Sequence, residues 1–203
     1  MSRGIDAPIP RNQNMANSKP RKPRLAWALT GSGHDFTECL ELMVRIGAMD
    51  VFVSKAAAEV IYMYRRERQP FPRSTKIIKD TSASAAPVGR FYHGHYHTLV
   101  LAPTTSNTVA KCVLGISDTL ITNVFAQAGK CRVPVIVYAC DTLPEMDTMA
   151  PDRMVHLWPR RIDLENTEKL RSFENTTVVT TLAELESAVT ERLEEVESSG
   201  DRP

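Results

Sequence analysis

The chain has 203 residues, enough for one domain with a tail, and 42% of them are apolar, so a sizeable core is affordable. Basic and acidic residues nearly balance at 25 against 24, and a net charge of +1 gives no bulk reason to expect nucleic acid or an anionic membrane surface as partner. No apolar run approaches a membrane span, no signal-peptide core opens the chain, and Cys39, Cys112, Cys131 and Cys140 lack CxxC spacing; a reduced cytoplasmic protein without disulfide frame or cysteine-ligated cluster is expected.

Residues 1–23 are polar, basic and proline-containing. They read as a flexible arm, because too little apolar surface is present to offset the entropy of ordering. The compact domain is expected over 24–197, with 198–203 as a tail. Leu25 to Thr30 is a short apolar run ending at Gly31-Ser32-Gly33, a buried strand and a tight turn. A helix follows to Ile46, with Phe36, Leu40, Met43 and Val44 at helical spacing and Gly47 as its cap. Met49 to Ser54 is a second strand, and Lys55 to Arg68 a second helix stopped by Pro70. Thr98 to Ala102 is a third strand, followed by one long helix from about Asn107 to Ala128. Val133 to Ala139 and Thr176 to Thr180 complete five strands, and Thr181 with Glu184 forms a capping box for a last helix reaching about Val196. This alternation predicts an α/β fold: a three-layer, Rossmann-like or flavodoxin-like parallel sheet with helices on both faces. Ligands of such sheets bind beyond the carboxyl ends of the strands.

Three strand-to-helix turns therefore carry the chemistry. Gly31 and Gly33 let backbone amides approach an oxyanion at a helix N-terminus, with Ser32 as a further donor; a turn that simply needs small residues is the alternative. Ser54 reads first as an N-cap, and second as a hydroxyl for the same anion. The third turn is the most informative. Thr104, Thr105, Ser106, Asn107 and Thr108 place five polar side chains where a helix needs one cap, a surplus suited to a polar ring ligand. Asp118, with Ser117 beside it, puts a carboxylate into an apolar stretch, which calls for either a structural hydrogen bond or a functional role. His93, His95 and His97 alternate and would face one way on an extended segment. No carboxylate or cysteine completes the set, so no metal is expected, and a pocket or interface role is favoured.

These residues resemble the homo-oligomeric flavin-containing cysteine decarboxylase superfamily, and within it the archaeal-type flavoprotein and dihydromethanopterin reductase branch. The match runs through Leu101-Ala102-Pro103-x-Thr105-x-Asn107-Thr108-x-Ala110-Lys111 and Gly115-x-x-Asp118-x-Leu120-x-Thr122. Ala126-Gln127-Ala128-Gly129-Lys130 and Val133-Pro134-Val135 resemble the archaeal-type branch in particular. The resemblance covers about Leu25 to Val179.

It implies a non-covalent FMN site over 24–197. Gly31, Ser32, Gly33 and Ser54 would hold the phosphate, Thr104 to Thr108 would lie along the flavin, and Ser117 and Asp118 would reach it, in some members from a neighbouring subunit. It also implies a homo-oligomer built on trimers. Two departures turn the expected reaction away from decarboxylation. The decarboxylases' His-x-Glu-Leu segment is replaced by Gly89 to His97, and their Pro-x-Met-Asn segment by Pro144-Glu145-Met146-Asp147. An Asp there repels a carboxylate but suits the N–H edge of a pterin. The expected function is FMN-dependent reduction of dihydromethanopterin to tetrahydromethanopterin, with His93, His95 and Asp147 as catalytic candidates. Trp158, Tyr92 and Tyr138 are candidate stacking partners, and 141–159 is either a flap over the substrate or a surface loop. A separate electron donor is required, and no NAD-type fingerprint is present. The alternatives are an electron-transfer flavoprotein fed by ferredoxin and a phosphopantothenoylcysteine decarboxylase-like enzyme.

Overall fold

The computed structural model describes residues 22–64, 71, 75–81, 86–150 and 152–200. The first 21 residues of the expected arm, and 201–203 of the expected tail, lie outside them. Six parallel strands form one sheet: β1 (Arg24–Leu29), β2 (Met49–Val53), β3 (Lys76–Lys79), β4 (Tyr96–Thr104), β5 (Val135–Ala139) and, after a separate hairpin, β8 (Thr176–Val179). Their order is β3-β2-β1-β4-β5-β8. The chain leaves β1 in one direction and returns to its other side at β4, so the topological switch point lies between these two strands.

The strands are buried on both faces because helices cover both. On β1, Leu25, Trp27 and Leu29 pack on one side with α1 (Phe36–Ile46), α2 (Lys55–Tyr64) and α6 (Leu182–Gly200). Ala26 and Ala28 pack on the other with α3 (Ser106–Val113), α4 (Leu120–Lys130) and α5 (Arg161–Arg171). The expected three-layer α/β architecture is present. The Thr181–Glu184 capping box is formed, with Glu184 accepting from both the Thr180 and Thr181 amides. Helix α6 then runs to Gly200, into the stretch expected to be tail.

Three expectations are corrected. The single long helix is two helices, because Gly115 adopts φ +71° and Thr119 opens α4 with a capping box on Thr122. A left-handed residue followed by a new N-cap ends one helix and starts another, whatever the apolar periodicity across the break. Strand β3 and helix α5 were not anticipated: Lys76-Ile77-Ile78-Lys79 is too short to show alternation, and α5 is polar over most of its surface. Within 141–159, β6 (Met146–Met149) and β7 (Met154–Leu157) pair as an antiparallel hairpin. Among the described residues no helix is long and apolar enough to cross a membrane.

At the amino end of the sheet, Asp50 is 3% exposed. It accepts from Arg90 at 2.8 Å and from Tyr96 Oη at 2.9 Å, and faces Arg24 at 3.3 Å. This network ties β1, β2 and β4 to the 3₁₀ turn at Ala86–Arg90. Removing the carboxylate takes the ion-pair partner from Arg90 and the acceptor from the buried Tyr96 hydroxyl. Asp50→Ala should cost about 3 kcal/mol, read as a lower urea midpoint at unchanged slope.

Candidate functional site at the switch point of the sheet

The carboxyl ends of β1 and β4 diverge, since the chain leaves them toward opposite faces. A threonine bridges the gap. Thr30, 2% exposed, donates to the Pro103 carbonyl at 2.8 Å and accepts from the Thr105 amide at 3.0 Å. Beside it the glycine turn meets the start of α2: a Cβ placed on Gly31 would stand 2.6 Å from the Cβ of Ala56, so only glycine fits.

Around these contacts lies a cavity of about 550 Å³. Three helices begin at its wall: α2 at Ser54–Lys55, α3 at Thr105 and α4 at Thr119. Each helix start carries partial positive charge and amides without intrahelical acceptors. Lys55 and Lys111 add two cations. Three caps occupy part of this donor set: Ser54 accepts from the Ala57 amide, Thr105 from the Thr108 amide, and Thr119 from the Thr122 amide. Asp80, at the end of β3, accepts from the Leu120 amide at 3.3 Å. Asn107 is exposed into the space. The arrangement suits an anion attached to a larger polar body.

A second compartment of about 360 Å³ adjoins the first across Gly31 and Thr105, which line both. Its roof is the β6–β7 hairpin and its floor the turn at Ser32–His34. His34 Nδ1 lies 2.9 Å from Thr148 Oγ1 on the hairpin. The Flavoprotein family model matches residues 13–199.

The chain belongs to the Flavoprotein family. It is 47% identical to DmrB of Burkholderia xenovorans, solved in complex with FMN and described as a cubic protein cage for redox transfer. That likeness covers 87% of this chain and 98% of the other, with a TM-score of 0.77. An uncharacterized protein of Methanocaldococcus jannaschii is 32% identical over 84% of this chain and 96% of its own length. A dihydromethanopterin reductase (acceptor) of Methanosarcina mazei is 39% identical over 58% of this chain, and the match spans about half, 55%, of that reductase.

In this flavoprotein-family chain the expected site residues separate into groups. Gly31, Ser54, Thr105, Asn107, Thr108 and Asp118 line the large cavity. Ser54 is also the cap of α2, accepting from the Ala57 amide at 2.9 Å. Ser32 and Gly33 line the second compartment instead. Ser32 is held by the His34 amide and by Cys140 Sγ at 3.1 Å, and burial pushes the Cys140 thiol up to about 12. Thr104 is fully buried and spends its hydroxyl on the Leu101 carbonyl, so it faces neither space. Ser106 lines neither, and Ser117 belongs to the groove beyond the Gly115 turn. Asp118 is exposed, not buried as its apolar surroundings in sequence implied; Lys111 donates to it at 2.7 Å and holds its carboxyl below the usual range.

The catalytic candidates are displaced from this end of the molecule. His93 and His95 are exposed and precede β4, whose nine residues carry the chain about 30 Å to the cavity. Asp147 alternates with Met146 and Thr148, which face the compartment, and therefore points outward to His156 at 2.8 Å. Of the stacking candidates, Tyr138 is core and donates to Asp35; Tyr92 lies beside His93; Trp158 stands edge-on to His156. Among the described residues no three His, Cys, Asp or Glu side chains are grouped to hold a metal.

Sequence reasoning passed over Thr30, Lys55, Asp80, Thr119 and His34. Thr30 and His34 were legible as direct neighbours of the glycine turn; Asp80 depends on a strand too short to recognise. The packing of Gly31 on Ala56 yields a test. Gly31→Ala should cost about 1–3 kcal/mol, and the double variant Gly31→Ala/Ala56→Gly should recover most of it, as thermal unfolding of all three variants would measure.

Proposed function

We propose that the chain is an FMN-dependent oxidoreductase that reduces dihydromethanopterin to tetrahydromethanopterin. The observation carrying this reading is the convergence of three helix starts and two lysines on one cavity at the switch point. The FMN of the 47% identical DmrB and the activity of the 39% identical reductase support the choice of cofactor and reaction. The residues fit the cofactor: the α2 and α3 starts with Lys55 and Lys111 would hold the phosphate, and Asn107 and Thr108 the polar edges of the remainder. When bound, FMN supplies hydride chemistry at its ring.

The protein's part is binding, orientation and exclusion of water. The positive helix ends cost no reorganisation when an anion binds, because the fold already holds them in place. The adjoining compartment offers a substrate a surface of Met63, Met146 and Leu157 beside the polar Gly31 turn. Assembly on trimers is part of the same proposal. It is supported by the cage formed by DmrB and by Leu114 and Ile116, exposed on the α3–α4 turn that borders the cavity. The redox-transfer role stated for DmrB supports a second reading, an electron-transfer flavoprotein without a pterin substrate.

Titrating the apo-protein with FMN should give one bound flavin per chain, followed by its visible absorbance. Lys55→Ala and Lys111→Ala should each weaken FMN about tenfold while leaving riboflavin, which lacks the phosphate, nearly unaffected. Tetrahydromethanopterin formation by the reduced holoprotein tests the reaction. Flavin bound with no product formed would favour electron transfer.

A further inference from the structure

The turn after Gly33 has an unusual backbone for its residue. Asp35 is the N-cap of α1, yet it adopts φ 47°, ψ 30°, and its side chain caps nothing. Asp at an N-cap ordinarily sits in the extended region and bonds an amide of the first turn. Here that stabilisation is absent and a left-handed conformation is adopted in its place. The carboxylate is turned instead toward Tyr138, which donates to Oδ2 at 2.5 Å, and toward His34, whose Nε2 lies 3.7 Å from the same oxygen. Burial and this carboxylate together raise the Tyr138 phenol far above its usual range, so it stays a donor.

His34 is thus held from two sides. Nδ1 faces Thr148 Oγ1 on the hairpin at 2.9 Å. Nε2 makes no hydrogen bond among the described residues, with Asp35 beside it to balance a positive charge. The ring is about one-fifth exposed, at 21%, and its surface faces the second compartment. It is the histidine, among the described residues, that lines either space at this end of the sheet. The other titratable groups facing it are Asp141 across the compartment and Tyr138 from β5, ring centroids 6.1 Å apart.

We infer that His34 is the proton donor of the reduction, a catalytic residue in the second compartment, and that Asp35 is its positioning residue. The inference deepens the reductase reading and rests on it. Bound reduced flavin would supply the hydride, one hydrogen with two electrons, that the carbon of the pterin's imine C=N takes up. The nitrogen takes one proton from protonated His34. The imidazole is left neutral and regains its proton from solvent. An oriented acid of this kind contributes about a hundredfold or more.

The test uses the FMN holoprotein, reduced and mixed with dihydromethanopterin in single turnovers between about pH 5 and 9, where imidazole titrates. The wild-type rate should fall as pH rises through one ionisation. His34→Ala should lose about a hundredfold and the ionisation with it, and added imidazole should restore part of the rate at low pH. FMN affinity should be unchanged. Thr148→Val removes the hairpin contact but keeps the acid, so its rate should still follow the same ionisation. Asp35→Asn should lower the single-turnover rate several-fold while leaving the pterin concentration for half-maximal rate and the FMN affinity unchanged, as expected of a residue that orients the acid. Independently of turnover, the histidine resonance missing from His34→Ala should move when pterin is added to oxidised wild-type holoprotein. Turnover by His34→Ala at the wild-type rate, or an unshifted resonance in a protein that does turn over, would overturn the assignment of His34. Flavin binding without any product from the wild type would overturn the reductase reading itself.

Discussion

The hydroxyl of Thr30 is the contact on which the whole carboxyl end of the sheet depends. Between β1 and β4 the backbone ladder has to stop, because the two chains leave toward opposite layers. An open switch point needs something to hold its edges at a fixed separation. Thr30 does so with one donated hydrogen bond that is buried and one accepted bond that is partly buried. A buried hydroxyl without partners would be costly, so the side chain and the two backbone groups fix one another. The helix starts are then aimed by rigid elements rather than by loops. A cavity between such elements is preorganised, and binding in it requires no prior ordering of the protein.

That rigidity explains how the polar side chains after β4 divide. The surplus over Thr104 to Thr108 reads in sequence as five groups awaiting a ligand. In the fold Thr104 closes on Leu101, and Thr105 and Thr108 bond each other while capping α3. The turn thus needs more internal satisfaction than one cap, because it both ends a buried strand and sits against Thr30. Thr105 and Thr108 still present edges to the cavity, and Asn107 is directed into it. Most members of the surplus serve the scaffold first.

The fold class was legible because parallel strands buried on both faces appear as apolar runs that need no alternation, as in Leu25 to Leu29 and Val135 to Ala139. The break between α3 and α4 was not, because Leu120, Ile121 and Val124 continue the apolar stripe across Gly115. Local backbone geometry decided there, and periodicity does not report it. Asp118 reads as buried from its apolar neighbours, yet it stands exposed on the α3–α4 turn. A carboxylate flanked by apolar residues looks buried in sequence, but a turn or an exposed strand face lets it point outward while its neighbours point in. The histidines divide differently. His93, His95 and His97 drew attention by number, whereas the residue against the glycine turn, His34, stands alone.

The two compartments also differ in the groups they present. The large cavity collects three helix starts, Lys55 and Lys111, and beside them the carboxylates of Asp80 and Asp118, the latter paired with Lys111. A proton carrier set among the lysines would bring positive charge to positive charge. Across the glycine turn Asp141 lines the second compartment, and among the described residues no lysine or arginine does. Gly31 is the thinnest wall a chain can build, and its contact with Ala56 leaves no room for a thicker one. A ligand spanning that wall would have its anionic end among the helix starts and its far end beside Asp141 and the His34 imidazole. The close turn packing that sequence reading assigns to phosphate approach therefore has a second consequence. It brings an acid-bearing surface within reach of the anion site without merging their fields.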